Sequence, residues 1–125
     1  MKLNLSMIIL FVRDIEKLKQ FYVNLLQLEM LEEIPSEWVL LQAGHCTIGL
    51  HQVGQQYLQH NDETSGAESN TKIVFETDEN LHSLREELVA RNISMREVKT
   101  FDNYGYWLCD GEDPEGNVFQ LKQKK

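Results

Sequence analysis

Three groups of side chains in this 125-residue sequence have the chemistry to bind or act on a small molecule: a histidine, a lysine with a glutamate, and several aromatic rings. His51 follows an apolar segment, where it could contact a ligand, transfer a proton or only form a hydrogen bond at a strand end. Lys72 and Glu76 fall on one face of a predicted strand, close enough to compensate each other's charge. The sequence has neither a glycine-rich phosphate loop nor a nucleophile elbow, so these groups carry the functional hypotheses.

The aromatic residues concentrate near the later predicted strands, at Phe101, Tyr104, Tyr106 and Trp107, with Trp38 in the first half. Aromatic side chains most often build a core, but some of these could line a pocket for a planar or cationic group. We interpret Tyr104 and Trp107 as candidates for ligand binding.

Composition and charge exclude several classes of protein. The net charge of −8 argues against nucleic-acid binding, because phosphate contacts require clustered lysine and arginine. No apolar run is long enough to span a membrane, and the N-terminal segment lacks the cleavage site of a signal peptide. The two cysteines, Cys46 and Cys109, are predicted to be reduced, unreactive thiols. These observations predict a cytoplasmic protein that binds neither nucleic acid nor a membrane.

The elements that must position these residues occur in the same order twice. In the first half, a strand at 5–12 precedes a helix that Asp14 caps and that carries an apolar stripe from Ile15 to Leu26. Three strands follow near 28–34, 37–42 and 46–53. The polar segment 54–71 has no apolar period and is predicted to be a linker or a mobile flap.

The second half repeats this order. A strand at 73–77 precedes a helix that Asp78 or Asn80 caps, and Asn92 is predicted to end that helix in the left-handed conformation. The last three strands are predicted near 93–99, 105–110 and 117–123. The repeat suggests three correspondences between the halves: Asp14 with Glu79, Trp38 with Trp107, and Gly49 with Gln120.

The repeat predicts an α+β fold made of two βαβββ modules. A four-stranded sheet with one helix leaves one face uncovered, so we expect the modules to pair as a curved mixed sheet around a cleft, with the helices outside. Residues 1–125 would form a single domain, with one module at about 1–53, the linker at about 54–71 and the other module at about 72–125.

Two segments carry a resemblance to a known family. They are residues 12–16 with Phe21 and Tyr22, and Gly105 with residues 113–117 and 119–121. Together they resemble the opening and closing segments of the glyoxalase/bleomycin-resistance/extradiol-dioxygenase superfamily, also called vicinal oxygen chelate proteins. The chain departs from the family at Gln27, where the family often has a glycine that ends the helix. If Gln27 is left-handed, it carries strain of roughly 1 kcal/mol.

For metal-dependent members, the resemblance implies four metal-binding positions, which fall here on Met7, on Gly49 or His51, on Lys72 and on Gln120. Strand alternation predicts that Met7 and Ile9 face the cleft, as do Lys72, Glu76 and Gln120. Divalent metals prefer imidazole and carboxylate ligands, whereas Met7 is a weak ligand and Lys72 repels a cation. Only His51 is a good ligand, so we expect neither a metal nor another cofactor.

The function predicted from these residues is metal-free small-molecule binding in a cytoplasmic homodimer. This resembles the bleomycin-resistance branch, which sequesters a toxic or antibiotic-like compound, and no catalytic residue is assigned. The alternatives are a lyase, isomerase or dioxygenase with a displaced site around His51, Glu76 and Gln120, or a regulatory subunit without a ligand. If Glu76 neutralises Lys72, a cationic or neutral aromatic ligand is expected; otherwise Lys72 would anchor an anionic or carbonyl group. The candidate ligand-binding residues are Met7, Ile9, His51, Lys72, Glu76, Tyr104, Trp107 and Gln120.

Overall fold

The structure, a computed structural model, describes residues 1–2, 4–58 and 71–125, without the side chain of Tyr57. These residues form two compact units, and among them each unit has a four-stranded mixed sheet with a helix packed on it. The predicted α+β class with repeated βαβββ order is therefore confirmed. Of the predicted linker, Gln55–Leu58 forms a short helix, and residues 59–70 lie outside the described part of the chain.

The first unit has the strand order β1-β4-β3-β2, in which β1 runs parallel to β4 and the other neighbours are antiparallel. Its helix α1 continues directly into a π-helical segment at Gln20–Leu25. The elements are β1 (Met7–Val12), α1 (Ile15–Lys19), β2 (Glu29–Ile34), β3 (Trp38–Ala43), β4 (Cys46–Gln52) and α2 (Gln55–Leu58).

The second unit has the equivalent order β5-β8-β7-β6, with β5 parallel to β8. Its elements are β5 (Ile73–Glu76), α3 (Leu81–Ala90), β6 (Ser94–Met95), β7 (Tyr106–Glu112) and β8 (Val118–Lys124). The strand predicted at 93–99 is therefore much shorter than expected. Beyond β6, the chain pairs with β7 again at one isolated β-bridge, where Lys99 and Leu108 exchange two backbone hydrogen bonds of 2.8 Å.

The helices α1 and α3 each begin at a residue whose side chain caps the helix N-terminus. The Asp14 carboxylate accepts a hydrogen bond from the Lys17 backbone N–H at 3.1 Å, and the Asn80 side chain accepts one from Ser83 at 3.0 Å. Such caps satisfy backbone donors that have no partner inside the helix. The predicted cap at Asp14 is confirmed, and Asn80 rather than Asp78 caps α3. The correspondence of Asp14 with Glu79 is therefore wrong by one residue.

The C-terminus of α3 confirms the prediction for Asn92. Its φ is 63°, and the N–H of Ile93 donates to the Leu88 carbonyl at 3.1 Å while the N–H of Asn92 donates to Val89 at 2.9 Å. These two bonds form a Schellman motif, and the accompanying apolar pair is buried, since Leu88 and Ile93 are both core residues. The left-handed turn thus closes the helix and directs the chain into β6.

Equivalent glutamines connect the last strand of each unit to its helix. The Gln52 side-chain oxygen accepts from the Ile15 N–H at 2.9 Å, and the Gln123 oxygen accepts from the Leu81 N–H at 2.7 Å. With Gln52 equivalent to Gln123, Gly49 is equivalent to Gln120, as predicted.

The predicted match of Trp38 with Trp107 is wrong. Trp38 pairs with His51, whereas Trp107 pairs with Gln123, the equivalent of Gln52. Because neighbouring residues of a strand point to opposite faces, the two indoles lie on opposite faces of their sheets.

Gln27 adopts the left-handed conformation, with φ of 62°, directly after Leu26, which caps the π-helical segment. A side chain there is strained because its Cβ crowds the backbone, whereas glycine has no such cost. We therefore expect Gln27→Gly to raise the free energy of unfolding by about 0.5–1 kcal/mol in urea denaturation. Gln42→Gly, within β3, is the control and should lower the free energy of unfolding. A Gln27→Gly variant that is less stable than the wild type would contradict the strain argument.

Candidate functional site

Each sheet has one face packed on its helix and one face turned away from it, which we call the open face. In β1, Val12 is fully buried towards α1, whereas Phe11 is 68% exposed on the other side. Met7 and Ile9 share the open face with Phe11, as strand alternation predicted. In the β1–β4 register, Ile9 lies beside Gly49 and Phe11 lies beside His51.

The open face of the first unit is aromatic. The His51 ring lies 5.5 Å from Phe11 and 6.1 Å from Trp38, measured between ring centroids. The Trp38 indole covers Gly49 so closely that a Cβ at that position would overlap it, with one ring carbon at 2.8 Å and another at 3.0 Å. We name Met7, Ile9, Phe11, Trp38 and His51 the aromatic face. Its composition suits an apolar or planar ligand.

The open face of the second unit has a different chemistry, centred on the carboxylate of Asp110, which is only 3% exposed. Gln120 donates its amide N–H to one carboxylate oxygen at 2.8 Å, and the Lys72 ammonium contacts the other at 3.1 Å. Arg96 and Lys99 approach the same oxygen at 3.6 and 3.8 Å. We name these five residues, Lys72, Arg96, Lys99, Asp110 and Gln120, the basic cluster.

The basic cluster holds Asp110 in its ionised form. Burial by itself would raise the pKa of this carboxyl group, but the hydrogen bonds from Gln120 and Lys72 and the positive charges of Lys72 and Lys99 outweigh it, so the pKa lies below its ordinary value of 3.8. A carboxylate with a lowered pKa contributes stability that is present above the unfolded-state value and lost as the pH falls through the folded-state value. Asp110 is therefore charged throughout the physiological range.

The expected ion pair between Lys72 and Glu76 is wrong. Lys72 contacts Asp110, and Glu76 contacts Lys122 at 3.4 Å. Lys122 is the direct neighbour of Glu76 in the β5–β8 register and also lies 4.5 Å over the Tyr106 ring. Lys72 and Glu76 are four residues apart along the chain, which is roughly 13 Å in an extended strand. Lys122 lies directly beside Glu76 on the neighbouring strand, so the register between β5 and β8 determines the pairing.

The eight candidate residues fall into separate groups. Met7, Ile9 and His51 belong to the aromatic face, and Lys72 and Gln120 meet at Asp110 in the basic cluster. Glu76 lies on the same open face as that cluster, paired with Lys122.

The two aromatic candidates lie elsewhere. Tyr104 is in the loop before β7, where its ring contacts Phe101 and Tyr106. Trp107 points to the helix side of its sheet and packs against His82 of α3, with ring centroids 5.2 Å apart.

Sequence reasoning missed Trp38 as part of the aromatic face and missed Asp110, Arg96 and Lys99 as partners of Lys72. One signal was present for Asp110. The tight turn at residues 113–117 joins β7 and β8 as a hairpin, and counting back from it places Asp110 opposite Gln120. For Arg96 and Lys99 the sequence offered no comparable signal, because the segment beyond β6 joins the sheet irregularly.

The residues at the family's metal positions do not fit a divalent metal. Met7 offers a thioether, Gly49 has no side chain, and Lys72 is a cation held by Asp110. Gln120 directs its N–H, rather than its oxygen, to Asp110. Within the described ranges, 1–2, 4–58 and 71–125, no three His, Cys, Asp or Glu side chains are grouped as metal ligands. The His51 imidazole is exposed, and its ring neighbours are Phe11 and Trp38.

Other features of the described chain offer less for ligand binding. A shallow cavity of about 350 Å³ lies at the N-terminus of α1, but Asp14 and Gln52 in its wall are already engaged in capping and backbone hydrogen bonds. Cys109 is buried, and burial raises the pKa of its thiol, which disfavours the reactive thiolate. Of the helices in the part of the chain that the structure describes, none is both long and apolar enough to cross a membrane.

The family is established by a family model. The model of the glyoxalase/bleomycin resistance protein/dioxygenase superfamily matches residues 4–121, so the chain belongs to this superfamily. No curated protein matches the sequence.

Solved structures share the fold at low sequence identity. TnmS3, an antibiotic binding protein from a Streptomyces species, is 19% identical with a TM-score of 0.76, covering 99% of this chain and 98% of its own. The fosfomycin resistance protein FosX from Listeria monocytogenes is 17% identical, with a TM-score of 0.77 and coverage of 100% and 96%. Lactoylglutathione lyase from Agrobacterium tumefaciens is 16% identical, with a TM-score of 0.71 and coverage of 96% and 92%.

Proposed function

We propose that this protein is a metal-free small-molecule-binding member of the superfamily and that its aromatic face holds an apolar, planar part of the ligand. The observation that carries the proposal is the Trp38 indole lying over Gly49, at a position where the family resemblance implies a metal ligand. An aromatic ring replaces a donor atom there, so the site offers stacking instead of coordination. Sequestration of a toxic or antibiotic-like compound is the role that this chemistry supports, and TnmS3 is a neighbour described as antibiotic binding.

The energetics of the aromatic face are adequate for this role. Micromolar binding requires about 8 kcal/mol. At about 25 cal/mol per Å², burying roughly 300 Å² of apolar surface supplies a comparable amount before the costs of association. Stacking on Phe11 and Trp38 adds about 0.5–1.5 kcal/mol for each pair of rings. A ligand with a flat apolar body can therefore reach this affinity without many polar contacts to the protein.

Two further properties belong to the proposal. We place the protein in the cytoplasm because its two cysteines are free thiols. We propose a homodimer because exposed apolar side chains such as Leu31 and Ile34 would be covered by a second copy.

The first test of the proposal is metal analysis of the purified protein beside a thermal-shift screen of neutral planar compounds, with 2-naphthol as the reference probe. We expect substoichiometric metal and a rise in melting temperature with the probes that bind. Stoichiometric nickel, zinc or iron in the purified protein would instead favour the enzymatic alternative, a lyase, isomerase or dioxygenase. A protein with neither metal nor a response to any probe would favour the regulatory alternative.

A matched pair of variants locates the site. Phe11→Leu removes a 68%-exposed ring from the aromatic face, whereas Phe101→Leu removes a 58%-exposed ring from the loop before β7. We expect Phe11→Leu to weaken probe binding by about five- to tenfold in calorimetric titration, because one stacking contact is lost. Phe101→Leu should leave the affinity nearly unchanged. Equal effects of the two substitutions would show that the aromatic face is not the binding site.

A further inference from the structure

We propose that the basic cluster of the second unit is an oxyanion-binding site, which takes a carboxylate- or phosphate-type group of a small molecule. The inference rests on residues of the second unit alone and does not depend on the aromatic face. It also reverses the preference for a cationic ligand. Lys72 is paired with Asp110 rather than with Glu76. Arg96 and Lys99 add positive charge beside that pair.

The local charge is positive in a protein whose overall charge is strongly negative. Among the described residues around Asp110, the cations Lys72, Arg96 and Lys99 face one buried carboxylate. Arg96 also contacts Glu112 at 3.2 Å, so the cluster with this neighbour keeps one formal positive charge. The whole chain carries −8. Concentrating cations on one open face creates a local field that attracts anions against the overall charge.

The hydrogen-bonding capacity of the cations exceeds what Asp110 uses. Gln120 and Lys72 are at hydrogen-bonding distance from its two oxygens. Arg96 and Lys99, at 3.6 and 3.8 Å, are too far away for a normal hydrogen bond to the carboxylate. An ammonium has three N–H donors and a guanidinium has five. Side-chain donors of Arg96 and Lys99 therefore remain available to a second oxyanion beside Asp110.

The backbone holds these cations in place. The Arg96 N–H donates to the Asp110 carbonyl at 2.8 Å, and the Arg96 carbonyl accepts from the Arg85 side chain at 2.7 Å. Lys99 is fixed by its two backbone hydrogen bonds with Leu108. The side chains of Lys72 and Lys99 remain about half exposed, at 41% and 49%, so a ligand can reach them. The cluster thus combines fixed Cα positions with accessible charges.

A purely structural ion network explains the cluster less well. One hydrogen-bonded cation and the Gln120 amide already satisfy the buried carboxylate. Glu112 compensates Arg96. Lys72 and Lys99 then share that single carboxylate, and the repulsion between these like charges costs free energy. An oxyanion placed between Arg96 and Lys99 would reduce that repulsion and form charge-assisted hydrogen bonds.

The test uses inorganic phosphate and acetate as probes, titrated into the full-length protein at low ionic strength and followed by calorimetry and by amide NMR shifts. We expect phosphate to bind with a dissociation constant in the millimolar range and to shift the amide signals of Lys72, Arg96 and Lys99. Acetate distinguishes a carboxylate site from one that prefers phosphate. No saturable binding of either anion would overturn the inference.

Two variants separate a built site from general attraction to positive charge. Lys99→Gln should weaken phosphate binding by about tenfold, since a charge-assisted hydrogen bond is lost. Lys17→Gln in α1 changes the net charge equally and should have little effect. Equal weakening by both substitutions would overturn the inference.

A third variant is expected to strengthen phosphate binding rather than weaken it. Asp110→Asn removes the resident negative charge and should tighten phosphate binding several-fold, because Lys72 is then released to the ligand. Circular dichroism verifies that the variant is folded. If Asp110→Asn is folded and binds phosphate no better than the wild type, the cluster is an internal ion network and the inference is wrong; should it be unfolded, the comparison of Lys99→Gln with Lys17→Gln decides.

Discussion

Replacing Asp113 with alanine is expected to lower the free energy of unfolding by roughly 3 kcal/mol, because a buried, charged hydrogen-bond acceptor is lost. Asp113 is 5% exposed, and its carboxylate accepts three hydrogen bonds of 2.9 Å. The donors are the backbone N–H groups of Glu115 and Asn117 and the side-chain amide of Asn117. The Asp113 carbonyl also accepts from Gly116, whose φ of 81° suits a residue without Cβ.

Two control variants divide this effect. Asp113→Asn keeps an oxygen that can accept from both backbone N–H groups, so it should cost less than half as much as alanine. Asp102→Ala removes an equal charge from an exposed turn and should change stability by under about 0.5 kcal/mol. Urea denaturation measures all three. An Asp113→Ala variant within about 0.5 kcal/mol of the wild type would show that the turn does not depend on its carboxylate.

Adding a single methyl group at Gly49 is expected to disrupt the aromatic face. The new Cβ of Gly49→Ala would overlap three ring atoms of Trp38, so the indole has to move away from β4. Overpacking of this kind typically costs about 1–3 kcal/mol. We expect a loss of stability in that range, a changed Trp38 fluorescence spectrum and weaker binding of planar probes.

A double-mutant cycle tests whether the Trp38 indole causes the loss of stability in Gly49→Ala. In a Trp38→Ala background, Gly49→Ala should cost less than about 0.5 kcal/mol, since the overlapping ring is absent. Gly105→Ala is the matched control in the second unit, because nothing lies within 4 Å of its added Cβ. If Gly49→Ala is equally costly with and without the indole, the backbone of β4 rather than Trp38 requires the glycine.

Local sequence patterns predicted the elements of the fold well. The cap at Asp14 and the left-handed turn at Asn92 depend on residues within four positions, and alternation along β1 correctly placed Met7 and Ile9 on the same face. The family resemblance rested on motifs of the same short range, and the superfamily model confirms it. Such features follow from backbone geometry that a few neighbouring residues determine.

The candidate site was less predictable because its contacts depend on the register between strands. The pairing of Trp38 with His51 and of Lys122 with Glu76 joins residues far apart in sequence, and a shift of one residue reverses the face. The predicted match of Trp38 with Trp107 fails for this reason, because Trp107 points to the helix side of its sheet. Asp110 was missed for the same reason, although the turn at residues 113–117 fixes the β7–β8 register that places Asp110 opposite Gln120.

The matching glutamine bonds of Gln52 and Gln123 have a consequence for the history of the chain. Each joins the last strand of a unit to the first turn of the helix in that same unit. Each glutamine also follows its open-face residue, Gly49 or Gln120, by three positions in the sequence. A hydrogen bond repeated at the same position of both units is expected if the chain arose by duplication of a half-length ancestor. The two units keep this backbone arrangement although their open faces differ: that of the first carries aromatic rings and that of the second carries charged side chains.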